Sequence, residues 1–182
     1  DMTTLVLEMR RGTIDLEINQ IPFENVTEFE SSPKHQVVKK PGSVWQYLAF
    51  NLKDPTLSKV AVRRAIAHAI DRDRIVKDLL RGHGMLTDTM FGEGHWVRAT
   101  NLPTYGYDPN KAKQMLQQAG VNLNTWQPAM IGDGRSSIAR LIGEVVGSFW
   151  TDVGVKVKVE LLEGGIFQQR RAAVPLESPE GL

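Results

Sequence analysis

An α/β domain is the fold class that this sequence predicts, because runs with a strand period alternate with runs with a helix period. Residues 155–161, VKVKVEL, alternate strictly between apolar and charged side chains, which is typical of a strand with one buried face. Residues 108–120 and 137–154 instead carry apolar residues at the spacing of one helical face. We therefore expect a mixed sheet flanked by helices.

Composition sets limits on the class of protein. The chain has 182 residues, enough for one ordinary domain and not comfortably for two. A net charge of +1 supplies no field that would recruit nucleic acid or an anionic membrane. Because there is no cysteine, disulfides, zinc–thiolate sites and cysteine nucleophiles are excluded.

The first fifty residues predict two helices and three strands. The helices are expected at residues 2–11 and 23–32, from their helix-forming composition and the proline that precedes the second. TIDLEIN, residues 13–19, alternates like a half-buried strand. HQVVKK (35–40) and SVWQYLAFN (43–51) are rich in β-branched or aromatic residues, so we expect strands there too.

A long helical stretch follows a proline turn. Ser58 is the expected N-cap, Asp71 is a second N-cap that restarts the helix, and Gly82 is the expected stop. Asn51 is expected to hold the preceding turn by a side-chain to backbone bond. Residues 82–107 show no period, and we expect them to be irregular. The apolar face of the first helix comprises Val62, Ala65, Ile66, Ala69 and Ile70.

The second half contains a helix with clear ends and a glycine-rich turn. Asp108 caps the helix, Pro109 occupies its first turn and Gly120 stops it. GDGRSS, residues 132–137, lies between a short strand and a helix, where backbone N–H groups can receive either an anion or a capping side chain. We favour the cap, and Arg135 within this turn is a candidate ligand-binding residue.

Several candidate reactive groups have simpler explanations. His68 and Asp71 share a helical face, but a metal site needs more ligands, so a structural role is favoured. Acidic residues interleave with the arginines of this helix, which indicates a solvated face rather than a nucleic-acid surface. Nothing assembles a nucleophile, a base and an orienting group. We expect neither catalysis, metal nor cofactor.

Aromatic residues are the remaining feature of interest. Trp45 and Tyr47 are predicted to share one face of their strand, and Trp96, Tyr105 and Tyr107 lie in the irregular segment. Core packing is the ordinary role of such residues. Those that remain exposed would suit a cleft that takes an extended or amphipathic ligand.

Five blocks in order carry a family resemblance: LEMRRGTIDLEIN, YLAFNLKDPTLSKVAVRRAIAHAIDRDRIV, GHGMLTDTMFGEGHW, YGYDPNKAKQMLQQAG and IARLIGEVVGSFWTDVGVKVKVELLE. Together they resemble the family 5 extracellular solute-binding proteins, the peptide/nickel-binding components of bacterial ABC importers. The resemblance extends over about residues 1–171. The blocks are weak singly, but their order and spacing are highly specific.

The resemblance implies a periplasmic-binding-protein-like fold of the peptide-binding class and a non-catalytic function. Residues 1–171 would form most of a second lobe and residues 172–182 an irregular tail, with the first lobe missing. The implied partners are a peptide or other small solute and a membrane ABC permease, with no nucleic acid. The implied location is periplasmic or extracellular, with a lipid anchor in Gram-positive hosts. The alternative is a stand-alone interaction or regulatory domain with the same fold.

The resemblance also implies positions for the ligand's ends. By position, Glu24 would meet an amino terminus, and Arg170 or Arg171 a carboxylate. Ordinary surface charge remains the alternative for all three. With Trp45, Tyr47 and Arg135, they complete the set of candidate ligand-binding residues.

Overall fold

The structure is a computed structural model that describes residues 2–18, 21–40, 42 and 44–173. The chain divides into two compact units, each built from two separated segments, rather than the single domain that its length favours. The first unit comprises Asp1–Ser43 and Val76–Ala99, and the second Val44–Ile75 and Thr100–Leu182. The chain leaves the first unit and later returns to it, a non-local arrangement that no local sequence pattern reveals.

The first unit is organised by two helices. Helix α1 spans Met2–Arg11 and helix α2 spans Phe23–Ser31, as the sequence predicts. Each buries one large apolar side chain, Val6 and Phe29.

Polar side chains join these two helices. The Arg10 guanidinium donates through Nε and Nη2 to the two carboxylate oxygens of Glu28, at 2.7 and 2.6 Å. His35 lies with Nε2 3.1 Å from the carbonyl oxygen of Met9 and Nδ1 2.8 Å from Oγ of Ser32. The first unit is therefore held together by the Arg10–Glu28 ion pair and the hydrogen bonds of His35 as well as by its apolar contacts.

Three predicted strands are not formed in the part of the chain that the structure describes, so those predictions are wrong. Within residues 13–18, 35–40 and 44–51, the structure describes no strand. A strand needs a neighbour for its backbone N–H and C=O groups and a surface for its apolar face, and the described residues supply neither. Asn19 and Ser43, at the ends of two of these segments, lie outside the described residues. The apolar side chains left exposed include Leu16, Ile18, Val38 and Val44.

The core of the second unit lies between helices α3, Val60–His68, and α5, Pro109–Gln118. Both follow the apolar spacing read from the sequence. Both ends of α5 also match the sequence prediction: Asp108 caps its start, and Gly120 follows its end with a φ of 68°. The apolar side chains buried in or beside these helices are Val62, Ala65, Ile66, Ala69, Ala112 and Leu116.

Of the two predicted N-caps, Ser58 and Asp71, only Asp71 caps a helix. Ser58 does not cap α3: its hydroxyl donates to the carbonyl oxygen of Pro55 at 3.0 Å, and Lys59 occupies the cap position without a side-chain bond. The competing bond within the proline turn is local and uses the same hydroxyl. Asp71 does act as an N-cap, accepting from the backbone N–H of Arg74 at 2.9 Å.

The helix that Asp71 starts changes its winding after one turn. Helix α4 covers Arg72–Arg74, and a π-helical segment, Ile75–Leu79, continues it. The chain then reaches Gly82, whose φ of 76° suits a glycine stop. Residues 82–107, described throughout, contain no helix or strand, as expected.

A parallel pair of strands completes the second unit. Strand β1, Ala129–Asp133, pairs with strand β2, Lys158–Leu162, so that Asp133 lies opposite Leu162. Helix α6, Ser137–Asp152, connects them, and helix α7, Gly164–Ala172, follows β2. The described sheet is therefore smaller than the mixed sheet expected, because the three N-terminal segments do not join it.

Helix α6 packs closely on β2 through glycine. A methyl group on Gly147 would lie 2.8 Å from Cγ2 of Val159, while one on Gly143 would lie at 3.6 Å from Cγ1 of the same valine. Beyond α7, residues 174–182 of the expected tail lie outside the described residues. Within the described chain, no helix is both long enough and apolar enough to cross a membrane.

Candidate ligand-binding site

The carboxyl ends of β1 and β2 lie side by side and form the natural place for a site. Asp133 ends β1 and Leu162 ends β2, directly opposite in register. A turn then leads from β1 into α6, and Glu163 leads from β2 into α7. Ligands of open parallel sheets bind outside this edge of the strands. We call the residues Asp133, Arg135, Glu163 and Gly164 the carboxyl-edge cluster.

Arg135 is held by the carboxylate at the end of β1. Its Nε and Nη2 atoms donate to the two oxygens of Asp133, at 3.1 and 2.8 Å. The backbone N–H of Arg135 donates to the same carboxylate at 3.0 Å. These bonds lower the pKa of Asp133 to about 2 and raise the pKa of Arg135. The arginine side chain is nevertheless 66% exposed, so it remains accessible while paired.

The helix N-termini beside Arg135 are capped by the chain itself. Ser136 accepts from the backbone N–H of Ala139 at 3.1 Å, so the cap interpretation of GDGRSS is confirmed. Glu163 accepts from the backbone N–H groups of Gly165 and Ile166 at 2.8 and 3.4 Å. These side chains take the N–H groups of Ala139, Gly165 and Ile166, and Arg135 is a charged side-chain donor at the same edge.

Arg170 is engaged with an acid on β2. Its Nη1 donates to Oε2 of Glu160 at 2.7 Å, and Lys158 pairs with the other carboxylate oxygen at 2.9 Å. The bond from Lys158, and secondly that from Arg170, lowers the pKa of Glu160. Arg171 is exposed in the last turn of α7. The two adjacent arginines therefore differ: Arg170 has a carboxylate partner, whereas no described hydrogen bond or ion pair uses Arg171.

Trp45 and Tyr47 form an accessible aromatic pair. Their ring centroids lie 4.3 Å apart with an interplanar angle of 28°, and the rings are 37% and 58% exposed. The two rings lie on the same side of their segment as expected, although the described residues there form no strand. Stacking of this kind presents a flat apolar surface that other planar or aliphatic groups can cover.

Glu24 belongs to a different compact unit from the other candidates. It is exposed in the first turn of α2 within the first unit, whereas the other five candidates belong to the second unit. Sequence reasoning selected Arg135 but missed its partners, Asp133 and Gly164. The Asp-Gly-Arg spacing is a signal for the first of these, because a side chain can pair with one two residues away across a turn.

His68 has a structural partner. Its Nδ1 lies 2.7 Å from the carbonyl oxygen of Gly106, and its ring meets that of Tyr105 edge-on at 5.5 Å. A carbonyl oxygen only accepts, so Nδ1 carries the proton. Nearby, Arg63 donates from Nη1 to the carbonyl oxygens of Leu57 and Ser58, both at 2.8 Å. Across the described residues, no three or more histidine or acidic side chains group in a way that could hold a metal ion.

The fold and the site described above are those of an α/β domain with an exposed, ion-paired arginine at the carboxyl edge of its strands. Residues 1–174 match the bacterial extracellular solute-binding proteins, family 5 (middle region). The chain belongs to this family, as its sequence blocks indicate. The name of the family refers to extracellular solute binding and not to a reaction, in agreement with the non-catalytic interpretation.

Curated relatives are much longer than this chain. Heme-binding protein A of Haemophilus influenzae is 28% identical over 177 residues, which is 93% of this chain and 31% of that protein. The dipeptide-binding protein of Escherichia coli is 26% identical over 161 residues, 85% of this chain and 30% of that protein. The chain thus spans about a third of the length of these relatives.

Solved structures confirm the fold class. NikA from Brucella suis in complex with Fe(III)-EDTA superposes with a TM-score of 0.80 at 23% identity, over 95% of this chain and 38% of that one. DppA from Helicobacter pylori in complex with the peptide STSA gives a TM-score of 0.76 at 26% identity, over 93% and 32%. Both superpositions cover more than nine-tenths of this chain, so the α/β periplasmic-binding-protein-like fold expected from the sequence is the fold observed.

Proposed function

We propose that this chain is a solute-binding lobe of an ABC importer's substrate-binding protein, most suited to peptides and without catalytic activity. The observation that carries the proposal is the family match across residues 1–174. It is supported by the relatives, one of which binds dipeptides and one of which was solved with a bound peptide. The carboxyl-edge cluster offers a chemistry that fits such a ligand.

Arg135 would take an anionic oxygen of the ligand. A guanidinium carries five N–H donors, and Asp133 uses two of them, which leaves three for a ligand carboxylate. Trp45 and Tyr47 would cover apolar parts of the solute. Arg171 is a second candidate for the carboxylate and Glu24 a candidate for the amino terminus, while Arg170 would first have to leave Glu160.

The remaining contacts would come from parts of a longer protein. The relatives are about three times as long as this chain, and the irregular segments at residues 13–18, 35–40 and 44–51 expose apolar side chains that a neighbouring lobe would cover. Closure of two lobes would sequester the solute and present it to a membrane permease. The location would be periplasmic or extracellular, with a lipid anchor in a Gram-positive host.

Calorimetric titration with the dipeptide Ala-Ala tests the proposal. We expect weak or no heat of binding for the 182-residue chain and saturable binding for the longer polypeptide encoded by the surrounding reading frame. In that longer protein, Arg135→Met should weaken binding, and Arg140→Met, an exposed arginine on α6, should leave it unchanged. Micromolar binding by the isolated chain would contradict the half-site proposal, and a reading frame that ends with this chain would favour a stand-alone interaction domain.

A further inference from the structure

The guanidinium of Arg135 lies directly against the Cα of Gly164. Gly164 is the first residue of α7 and is buried. A methyl group on its Cα would lie 2.2 Å from Cζ, 2.3 Å from Nε and 2.7 Å from Nη2 of Arg135. These distances are far below van der Waals contact, so no side chain at position 164 is compatible with this position of the guanidinium.

Backbone geometry gives no competing reason for a glycine here. Gly164 does not have a left-handed φ, unlike Gly154 and Gly120. A residue with a side chain could adopt its backbone conformation, and alanine is the better helix former. Space for Arg135 is therefore the physical requirement that the structure shows at this position.

Asp133 fixes the arginine from the other direction. It binds the side of the guanidinium formed by Nε and one Nη2 hydrogen. The end of the fork, with both Nη1 hydrogens and the second Nη2 hydrogen, has no partner among the described residues. A side-on carboxylate thus leaves the end-on edge open, and a second carboxylate can bind there with two parallel bonds.

We propose that Asp133 and Gly164 are positioning residues for Arg135: the carboxylate holds the side of the guanidinium, and the bare Cα lets it lie flat over the start of α7. Their effect is to keep the remaining three donors together at the carboxyl edge. This proposal rests on the proposed ligand-binding role of Arg135. It adds that position 164 determines whether the arginine can stay on Asp133.

The displaced group in a Gly164 variant is the far end of a flexible side chain. Arg135 can rotate away from a new methyl group without disturbing the strands, so we expect the fold to survive and the ion pair to be lost. The readout must therefore report on pairing rather than on stability. The carboxyl pKa of Asp133 is suitable because the bonds from Arg135 are its main perturbation, with Glu163 the other charge close to this arginine.

NMR titration of the Asp133 carboxyl carbon in the 182-residue chain provides the test. In Gly164→Ala we expect its pKa to rise from about 2 towards the ordinary value of 3.8. Gly106→Ala is the matched control, because a methyl group there meets nothing within 4 Å and the pKa of Asp133 should not move. An unchanged pKa in well-folded Gly164→Ala would overturn the proposal.

Arg135→Lys tests the Asp133 part of the proposal even if the glycine variant folds poorly. Lysine cannot form the two-pronged bond, so the pKa of Asp133 should rise in this exposed-site variant as well. Adding Gly164→Ala to Arg135→Lys should then change little, since the glycine acts through the guanidinium. If the pKa of Asp133 rises in the double variant by as much again as in Gly164→Ala alone, Gly164 acts on Asp133 by a route other than the guanidinium. None of these measurements uses a ligand, so their outcome does not depend on the outcome of the Ala-Ala titration.

Discussion

The imidazole of His68 holds the carbonyl of Gly106 at 2.7 Å, and the main chains reinforce the contact, since the N–H of Asp108 donates to the carbonyl oxygen of His68 at 2.8 Å. The end of α3 thereby fixes the segment that starts α5. His68 is 7% exposed, whereas Gly106 is exposed, so this hydrogen bond is partly buried. The contact gives a structural role to the most conspicuous histidine of the sequence.

His68→Leu should destabilise the chain by about 0.5–1.5 kcal/mol, because the hydrogen bond to the carbonyl of Gly106 is lost while the side-chain volume is nearly kept. Urea unfolding followed by circular dichroism measures the loss. His95→Leu, at an exposed histidine, is the control and should stay within about 0.5 kcal/mol of the wild type. Equal stability of the two variants would contradict the anchoring role.

Gly147→Ala should destabilise the packing of α6 on β2 by about 1–3 kcal/mol, because its methyl group would press into Val159 at 2.8 Å. Gly143→Ala is the matched control on the same helix. Its methyl group meets Val159 at an ordinary 3.6 Å, so the higher helix propensity of alanine should leave it neutral or more stable by up to about 1 kcal/mol. Thermal unfolding of the two variants should shift in opposite directions, and a stabilised Gly147→Ala would refute the close-packing interpretation.

The helices could be predicted from the sequence because their signals are local. Asp108, Pro109 and Gly120 mark α5 within one short stretch, and the structure places each as expected. Strands depend on a partner elsewhere in the chain. TIDLEIN has the right alternation, yet Leu16 and Ile18 are 73% and 65% exposed because the described residues bring no neighbour to them.

The site could be predicted only in part, for the same reason. Arg135 stands out as a cation in a strand-to-helix turn. Gly164 lies far along the chain, and its contact with Arg135 exists only because β1 and β2 pair in parallel with Asp133 opposite Leu162. A sequence pattern shows which residue types a turn contains, but the register of a sheet decides which turns meet.

Asp108→Ala should cost about 0.5–2 kcal/mol, since its carboxylate accepts from the backbone N–H of Lys111 at 2.9 Å and caps α5. Ser58→Ala should cost less, about 0.5 kcal/mol or below, because its hydroxyl donates to Pro55 and caps no helix. Chemical unfolding of both variants compares them directly. A larger loss for Ser58→Ala would restore the capping role that the sequence suggested and the structure does not show.

Glu160 should report whether Arg170 is free for a ligand. Lys158 and Arg170 both bind its carboxylate, and their bonds lower its pKa below the ordinary 4.5, with Lys158 the larger cause. Lys158→Met should therefore raise this pKa more than Arg170→Met does, and NMR titration of the Glu160 carboxyl measures both changes.

The sign of the effect on stability follows from the same shift. A carboxyl whose pKa is lower in the folded chain stabilises it fully above the unfolded pKa, and the contribution is lost as pH falls through the folded pKa. The urea concentration at the unfolding midpoint of the wild type should consequently decrease as the pH is lowered below about 4.5. The decrease should be less steep in Lys158→Met. Arg140→Met serves as a charge-matched control and should leave the pKa of Glu160 where it is. If Arg170→Met also leaves that pKa unchanged, Arg170 does not hold Glu160 in solution, and its guanidinium is as available to a solute carboxylate as that of Arg171.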